Sequence, residues 1–372
     1  MPSAIMVQYM FAPQYPTGGE YFSSQRTLSV PSGLTRLFYL TWEDAVWDIL
    51  KHKNIERNAT ILLPNFFCGQ VAMNMQAHGL HCEWYEVDKY LGVIEESLIN
   101  ELKRHKPRLL VLFHAVGITN TLLKSTKWRK DIPDDMILIE DAANRVLNPK
   151  EISFINRNHV VIDSLRKTTP LQGSNIYGPS SFLTYSAPRT SSLLYQTKVY
   201  FFWSLYQFFL NAVRIIPARV WTVIMNRCAE YMMFRGYLSL GKNKEATGGL
   251  SLFYERASYI HYKHIFQVKQ IQGKRYDRYL KGTIEHMPFY RIPFPDFDYG
   301  NLRGYPIGIE QKHSRHILRK LRSQGLVIRP ELNDGPWSKK YQMITLPLGP
   351  HMSQKEQDSV IDVITNINTT KL

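Results

Sequence analysis

Apolar residues along this chain fall into two rhythms, one of helices and one of short buried strands. From Thr41 to His52, TWEDAVWDILKH, the residues Ala45, Val46, Ile49 and Leu50 recur at helical spacing, with Thr41 as the expected N-cap and Asp44 three residues on. The run Thr60-Ile-Leu-Leu-Pro64 reads as a buried strand ended by proline. The same reading gives a helix over 69–78 closed by Gly79, a strand over 82–87, a helix over 95–104, and strands over 108–114, 137–141 and 159–163. Strands of four to six apolar residues separated by helices are the βαβ pattern of a mostly parallel sheet, so the fold class is α/β.

A second, smaller helix-and-strand unit begins near Tyr290. It has a strand over 305–309, a basic helix over 313–324 closed by Gly325, short strands over 326–328 and 343–348, and a last helix over 353–367. Ser353 caps that helix, with Glu356 in the capping-box position. Between the units, 199–227 is rich in aromatics (VYFFWSLYQFFLNAV, then RIIPARVWTVIMNR). Its uncharged stretch is too short for a membrane span, and Arg214, Pro217 and Arg219 interrupt the apolar residues beyond it. Burial against the protein body or a subunit is the plainer reading; an aromatic helix with basic flanks lying in a membrane interface is the other.

Charge and composition narrow the classes. Forty-six basic against 31 acidic residues give a net charge of +15, while 44% hydrophobic and 13% aromatic content exclude a disordered chain, a coiled-coil rod and a collagen-like chain. The basic residues are scattered and no nucleic-acid recognition pattern accompanies them, so no nucleic-acid partner is expected; small anionic ligands or an anionic membrane suit the charge equally. Cys68, Cys82 and Cys228 are too few for a disulfide framework and match no zinc spacing. The N-terminal residues show no basic region followed by a long apolar run, so no secretory leader and a cytoplasmic location are expected.

In a parallel sheet, ligands bind beyond the carboxyl ends of the strands. Polar residues cluster there: His114, Glu140 with Asp141, and Asp163 with Ser164 each end an apolar run. The loop DSLRKTTPLQGS (163–174) places Lys167 just past a strand, and IEDAAN (139–144) sets a carboxylate at a strand end before small residues. Pyridoxal phosphate needs an amine, an anion beside its ring nitrogen, a phosphate cup and an aromatic face. Lys167 can supply the amine and Asp141 the anion. The start of the Thr41 helix, with the Thr41 and Ser164 hydroxyls, can form the cup, and Phe66 or Phe67 of LLPNFFCG can cover the ring.

The ordered motifs TWEDA, LLPNFFCG, FHAVG, IEDAAN and SLRK resemble the DegT/DnrJ/StrS family of sugar aminotransferases, fold-type-I pyridoxal-phosphate enzymes; GKRYDRYL and ITLPLGPHMSQKEQDSVIDVI are similar to its small-domain segments. The likeness covers about 35–180 and 270–372 and is weak over 185–250. It implies a three-layer large domain over 1–250, a small domain over 251–372, and an active site at a homodimer interface. It also implies Lys167 as the Schiff-base lysine and Asp141 as the ring-nitrogen partner, with Ser164 among the phosphate ligands. Thr41 and Trp42 take the place of a small-residue phosphate loop, Cys68 that of an aromatic beside Phe67, and Asn144 that of a histidine. The implied reaction moves an amino group, with glutamate as donor, onto a keto group of a nucleotide-linked sugar, a step of polysaccharide biosynthesis. His114 is read as packing or hydrogen-bonding locally rather than as a base, and the basic 313–322 stretch as a solvated helix face.

Overall fold

The computed structural model describes residues 19–188, 192–215, 219–285, 288–324, 326 and 328–367. Its main sheet has seven strands in the order β1 (Leu34–Tyr39), β7 (Ser174–Pro179), β6 (His159–Ile162), β5 (Ile137–Asp141), β4 (Leu109–Phe113), β2 (Thr60–Pro64) and β3 (His81–Tyr85). Pairings β2–β3, β2–β4, β4–β5 and β5–β6 are parallel, and only β7 opposes its neighbours β6 and β1. The carboxyl ends of the other six therefore share one edge. Strands β4, β5 and β6 are buried along their whole length, as apolar runs without alternation require.

Helices α1 (Trp42–His52), α2 (Gly69–Ala77) and α3 (Glu95–His105) connect the first strands, and α4 (Leu165–Thr168) is one turn after β6. The cap at Thr41 is as the sequence predicts: its side chain accepts from the Asp44 N–H. Long helices α5 (Leu193–Ile215) and α6 (Arg219–Tyr237) pack on each other as a hairpin, followed by α7 (Ser251–Ala257) and α8 (Tyr262–Glu285). The aromatic segment is thus helical on both sides of 216–218, which lie outside the described residues, as does the N-terminal 1–18. Among the described residues no helix is long and apolar enough to cross a membrane.

The small antiparallel sheet β8 (Phe289–Arg291), β9 (Gly304–Glu310) and β10 (Tyr341–Pro347) packs against α8 and α9 (Gln311–Ser323), and α10 (Gln354–Thr365) packs on α8. It has its own apolar core, from Tyr276 and Leu280 of α8 to Ile364 of α10. The Ser353–Glu356 capping box is formed. The expected strand over 326–328 lies partly outside the described residues, as does Gly325. β3 ends at Tyr85 rather than 87, because Val87 turns away to bridge Val93.

The FHAVG segment joins the two units. Val116 adopts φ 50°, a costly conformation for a β-branched residue, and its carbonyl accepts from the Arg303 N–H. At Gly117 (φ 96°) a Cβ would stand 2.5 Å from the Asn301 carbonyl, so only glycine allows that approach. Arg145 Nη1 donates to Thr119 (2.7 Å) and to the buried Asp298 (3.1 Å), closing the joint.

Candidate active site

The common edge of the sheet gathers the loops that follow β1, β2, β5 and β6. Asp141 is the last residue of β5 and buried; its Oδ1 accepts from the Ala143 N–H at 2.8 Å. Burial pushes its carboxyl up to about 7, against the opposing pull of that N–H and of the nearby Lys167 cation. Lys167 lies in the one-turn helix α4, half-buried, and its charge also favours the Cys68 thiolate. Ser164 caps α4, buried, and its carbonyl accepts from the Lys167 N–H at 3.0 Å. The fold therefore brings the expected amine and the expected anion within electrostatic reach of each other.

Trp42, the first residue of α1, is buried edge-on to Phe67, with ring centroids 6.2 Å apart. Its indole N–H lies near enough to Asp141 to favour the carboxylate, yet falls short of hydrogen-bond geometry and is left unpartnered. Phe67 stands at right angles to Phe113 (5.6 Å), and Phe66 packs edge-on to Trp337 of the small unit (4.8 Å), so this side of the site is aromatic and closed. Asn144 is buried with its Oδ1 lacking a donor.

At the α1 end, the Thr41 hydroxyl is already engaged: it donates to Asp44 Oδ2 at 2.6 Å while accepting from the Asp44 N–H. The groups left for an anion are the N–H groups of Trp42 and Glu43 at the start of α1, which have no acceptor within the helix. Glu43 is buried there as well, its Oε1 accepting from Asn74 Nδ2 at 3.1 Å.

Three polar strand ends serve structure instead. Glu140 faces away from Asp141, as side-chain alternation along a strand demands. It accepts from His114 Nε2 at 2.7 Å and lies 3.1 Å from His159 Nε2. Burial opposes its charge, but the two histidines hold its carboxyl well below the usual range. His114 Nδ1 accepts from the Asn120 N–H, so this histidine is hydrogen-bonded locally through both ring nitrogens. Asp163 is bound by the Asn175 N–H (2.7 Å) and Nδ2 (2.8 Å).

Two residues of the hairpin reach the site without any signal in the sequence. The Tyr237 hydroxyl lies 2.7 Å from Cys68 Sγ, and Arg166 stands over the Tyr237 ring. Tyr195 accepts from the Gly241 N–H at 3.0 Å and lies near Thr41. Among the described residues no cluster of His, Cys, Asp and Glu could hold a metal ion.

The residues fit pyridoxal phosphate at its ring end. A buried carboxyl near neutrality calls for a cationic N–H, and the orphaned Asn144 oxygen calls for a donor. The charge of Lys167 reaches the same carboxyl.

A seven-stranded, mostly parallel sheet with one reversed strand and a small C-terminal sheet define the class: the fold of pyridoxal-phosphate aminotransferases. No family model matches the chain, and no curated protein does. Solved structures do. The aminotransferase TlmJ from Streptoalloteichus hindustanus superposes with a TM-score of 0.60 at 12% identity, over 94% of this chain and 91% of that one. DesV of S. venezuelae, solved with a ketimine intermediate, gives 0.56 at 13% identity over 94% and 90%. A DegT/DnrJ/EryC1/StrS aminotransferase from Brucella abortus gives 0.53 at 16% identity over 88% and 84%. The chain has the fold of these three proteins.

Proposed function

We propose that the protein is a pyridoxal-phosphate-dependent aminotransferase that moves an amino group, from glutamate, onto a keto group of a nucleotide-linked sugar, as a homodimer. The observation that carries this reading is that Lys167 lies within electrostatic reach of the buried Asp141 at the carboxyl edge of the sheet. When bound, the cofactor supplies an aldehyde and an electron-accepting ring. Asp141 would hold a proton on the ring nitrogen, and burial strengthens that interaction. Lys167 Nζ would hold the cofactor covalently until the amino donor displaces it, then carry the proton leaving the donor's α-carbon. Phe66 and Phe67 exclude water from this side, and the first N–H groups of α1 would meet the phosphate. A buried Glu43 at that same helix start favours a second reading, in which the fold is kept but the cofactor is held weakly.

The test is direct. Purified protein incubated with pyridoxal phosphate should turn yellow, and borohydride should fix the cofactor on the Lys167 peptide, a mass shift absent in Lys167→Ala. Glutamate should then bleach the colour in a single turnover. A protein that takes up no cofactor ends the reading; one that binds it but ignores glutamate and keto-sugar nucleotides leaves the second.

A further inference from the structure

Hairpin α5–α6 is anchored from within and bare outside. Val199 and Tyr200 pack with Leu40 and Leu240 of the large unit, and Trp203, Tyr206 and Leu210 pack with Ala229 across the hairpin. Opposite them on α5, Leu194, Phe201 and Phe208 are 82%, 57% and 64% exposed. Their spacing of seven puts them on one line along the helix. On α6, Ile224 and Tyr231 repeat that spacing, joined by Phe234, and all three are exposed. Of the 15 large exposed hydrophobics among the described residues, seven lie between Leu193 and Phe234; a soluble surface scatters such residues singly.

The charges say what covers these stripes. Residues 192–237 carry five basic side chains and one acidic one, Glu230, which is spent on Arg329 at 3.0 Å. Lys198, Arg227 and Arg235 are exposed beside the apolar lines. A second copy seated on this face would bring the same basic hairpin against it, whereas an anionic bilayer complements the sign and accepts the aromatics at headgroup depth. The helices are not apolar enough to cross, so they would lie in the interface with basic side chains snorkelling to the phosphates.

We propose that the α5–α6 hairpin docks the protein on an anionic lipid surface through Leu194, Phe201 and Phe208 of α5 and Ile224, Tyr231 and Phe234 of α6. The root of that hairpin is Tyr237, at Cys68, so docking would hold the candidate site close to the bilayer. Docking of this kind does not depend on the catalytic reading.

The test is flotation of the full chain with phosphatidylcholine vesicles and with vesicles containing phosphatidylglycerol, at low and high salt. Binding is expected only to the anionic vesicles, falling about tenfold in Phe201→Ser/Phe208→Ser and in Lys198→Gln/Arg227→Gln/Arg235→Gln, and falling with salt. The charge variants alter exposed side chains only, which keeps the test valid should the serine pair fold poorly. Absence of binding, or binding that neither set of variants weakens, overturns the proposal. So does a wild-type oligomer that ignores vesicles and becomes monomeric in the serine pair, which would assign the stripes to a second copy.

Discussion

The thiol of Cys68 lies 2.7 Å from the hydroxyl of Tyr237, tying the loop after β2 to the last residue of α6. Burial pushes both groups up, so both stay protonated at neutral pH and one donates to the other. Losing the contact in Tyr237→Phe is expected to cost about 1 kcal/mol in urea unfolding. Because only the thiolate reacts and the Tyr237 hydroxyl favours it, Cys68 should label slowly with a thiol reagent and more slowly still in this variant, with Cys68→Ser as the control. Equal labelling rates would show that Tyr237 does not tune the thiol.

Trp42 is buried beside Asp141, and Glu43 brings a buried carboxylate to the helix start where a phosphate would be held. Trp42→Gly is expected to tighten pyridoxal phosphate about tenfold, roughly 1.4 kcal/mol. Glu43→Gln should tighten it too, by removing a like charge. Absorbance titration of cofactor-free protein reads both; weaker binding in Trp42→Gly would instead make the indole part of the cofactor's own wall.

Three buried aspartates shape the pH dependence. Burial pushes Asp44 up to about 8, Asp141 to about 7 and Asp163 to about 6, whereas each titrates near about 4 when unfolded. Between those limits the folded state holds protons that the unfolded chain has lost, so their contribution is complete at low pH and disappears as pH rises through the folded values. Each adds a downward slope of about 1.4 kcal/mol per pH unit while it applies. Unfolding free energy of the cofactor-free protein should therefore fall from pH 5 to 7, with one proton's slope missing in Asp141→Asn. Loading the cofactor should remove the same slope, since a cationic ring nitrogen would keep Asp141 ionised. Identical slopes in all three samples would contradict this account.

Arg303 and Glu331 form a buried pair at 2.5 Å, and the other Glu331 oxygen accepts from Thr345 at 2.7 Å. Glu331→Ala takes the carboxylate away from a buried guanidinium and is expected to cost about 3–5 kcal/mol, while replacing both partners with apolar residues should cost much less. Chemical unfolding of the single and double variants separates these; a double variant as unstable as the single one would mean that packing matters there and the charge does not.

What the sequence determined by itself is short in range. The Thr41 cap, the strands Thr60–Pro64 and Ile137–Asp141, and the Ser353–Glu356 box are legible because a cap needs three residues and a buried strand five. The order of IEDAAN and SLRK named Asp141 and Lys167 for the same reason: each motif is local. Which polar strand ends meet was decided by the tertiary structure. Glu140 and Asp141 are neighbours in sequence, yet side-chain alternation sends one to two histidines and the other to the lysine. Strands β1 and β7 carry polar residues and glycine, and gain their identity only by pairing with each other across the sheet. Tyr237 meets Cys68 across 169 residues, a contact that no periodicity encodes, because it depends on how the hairpin folds back over the sheet edge.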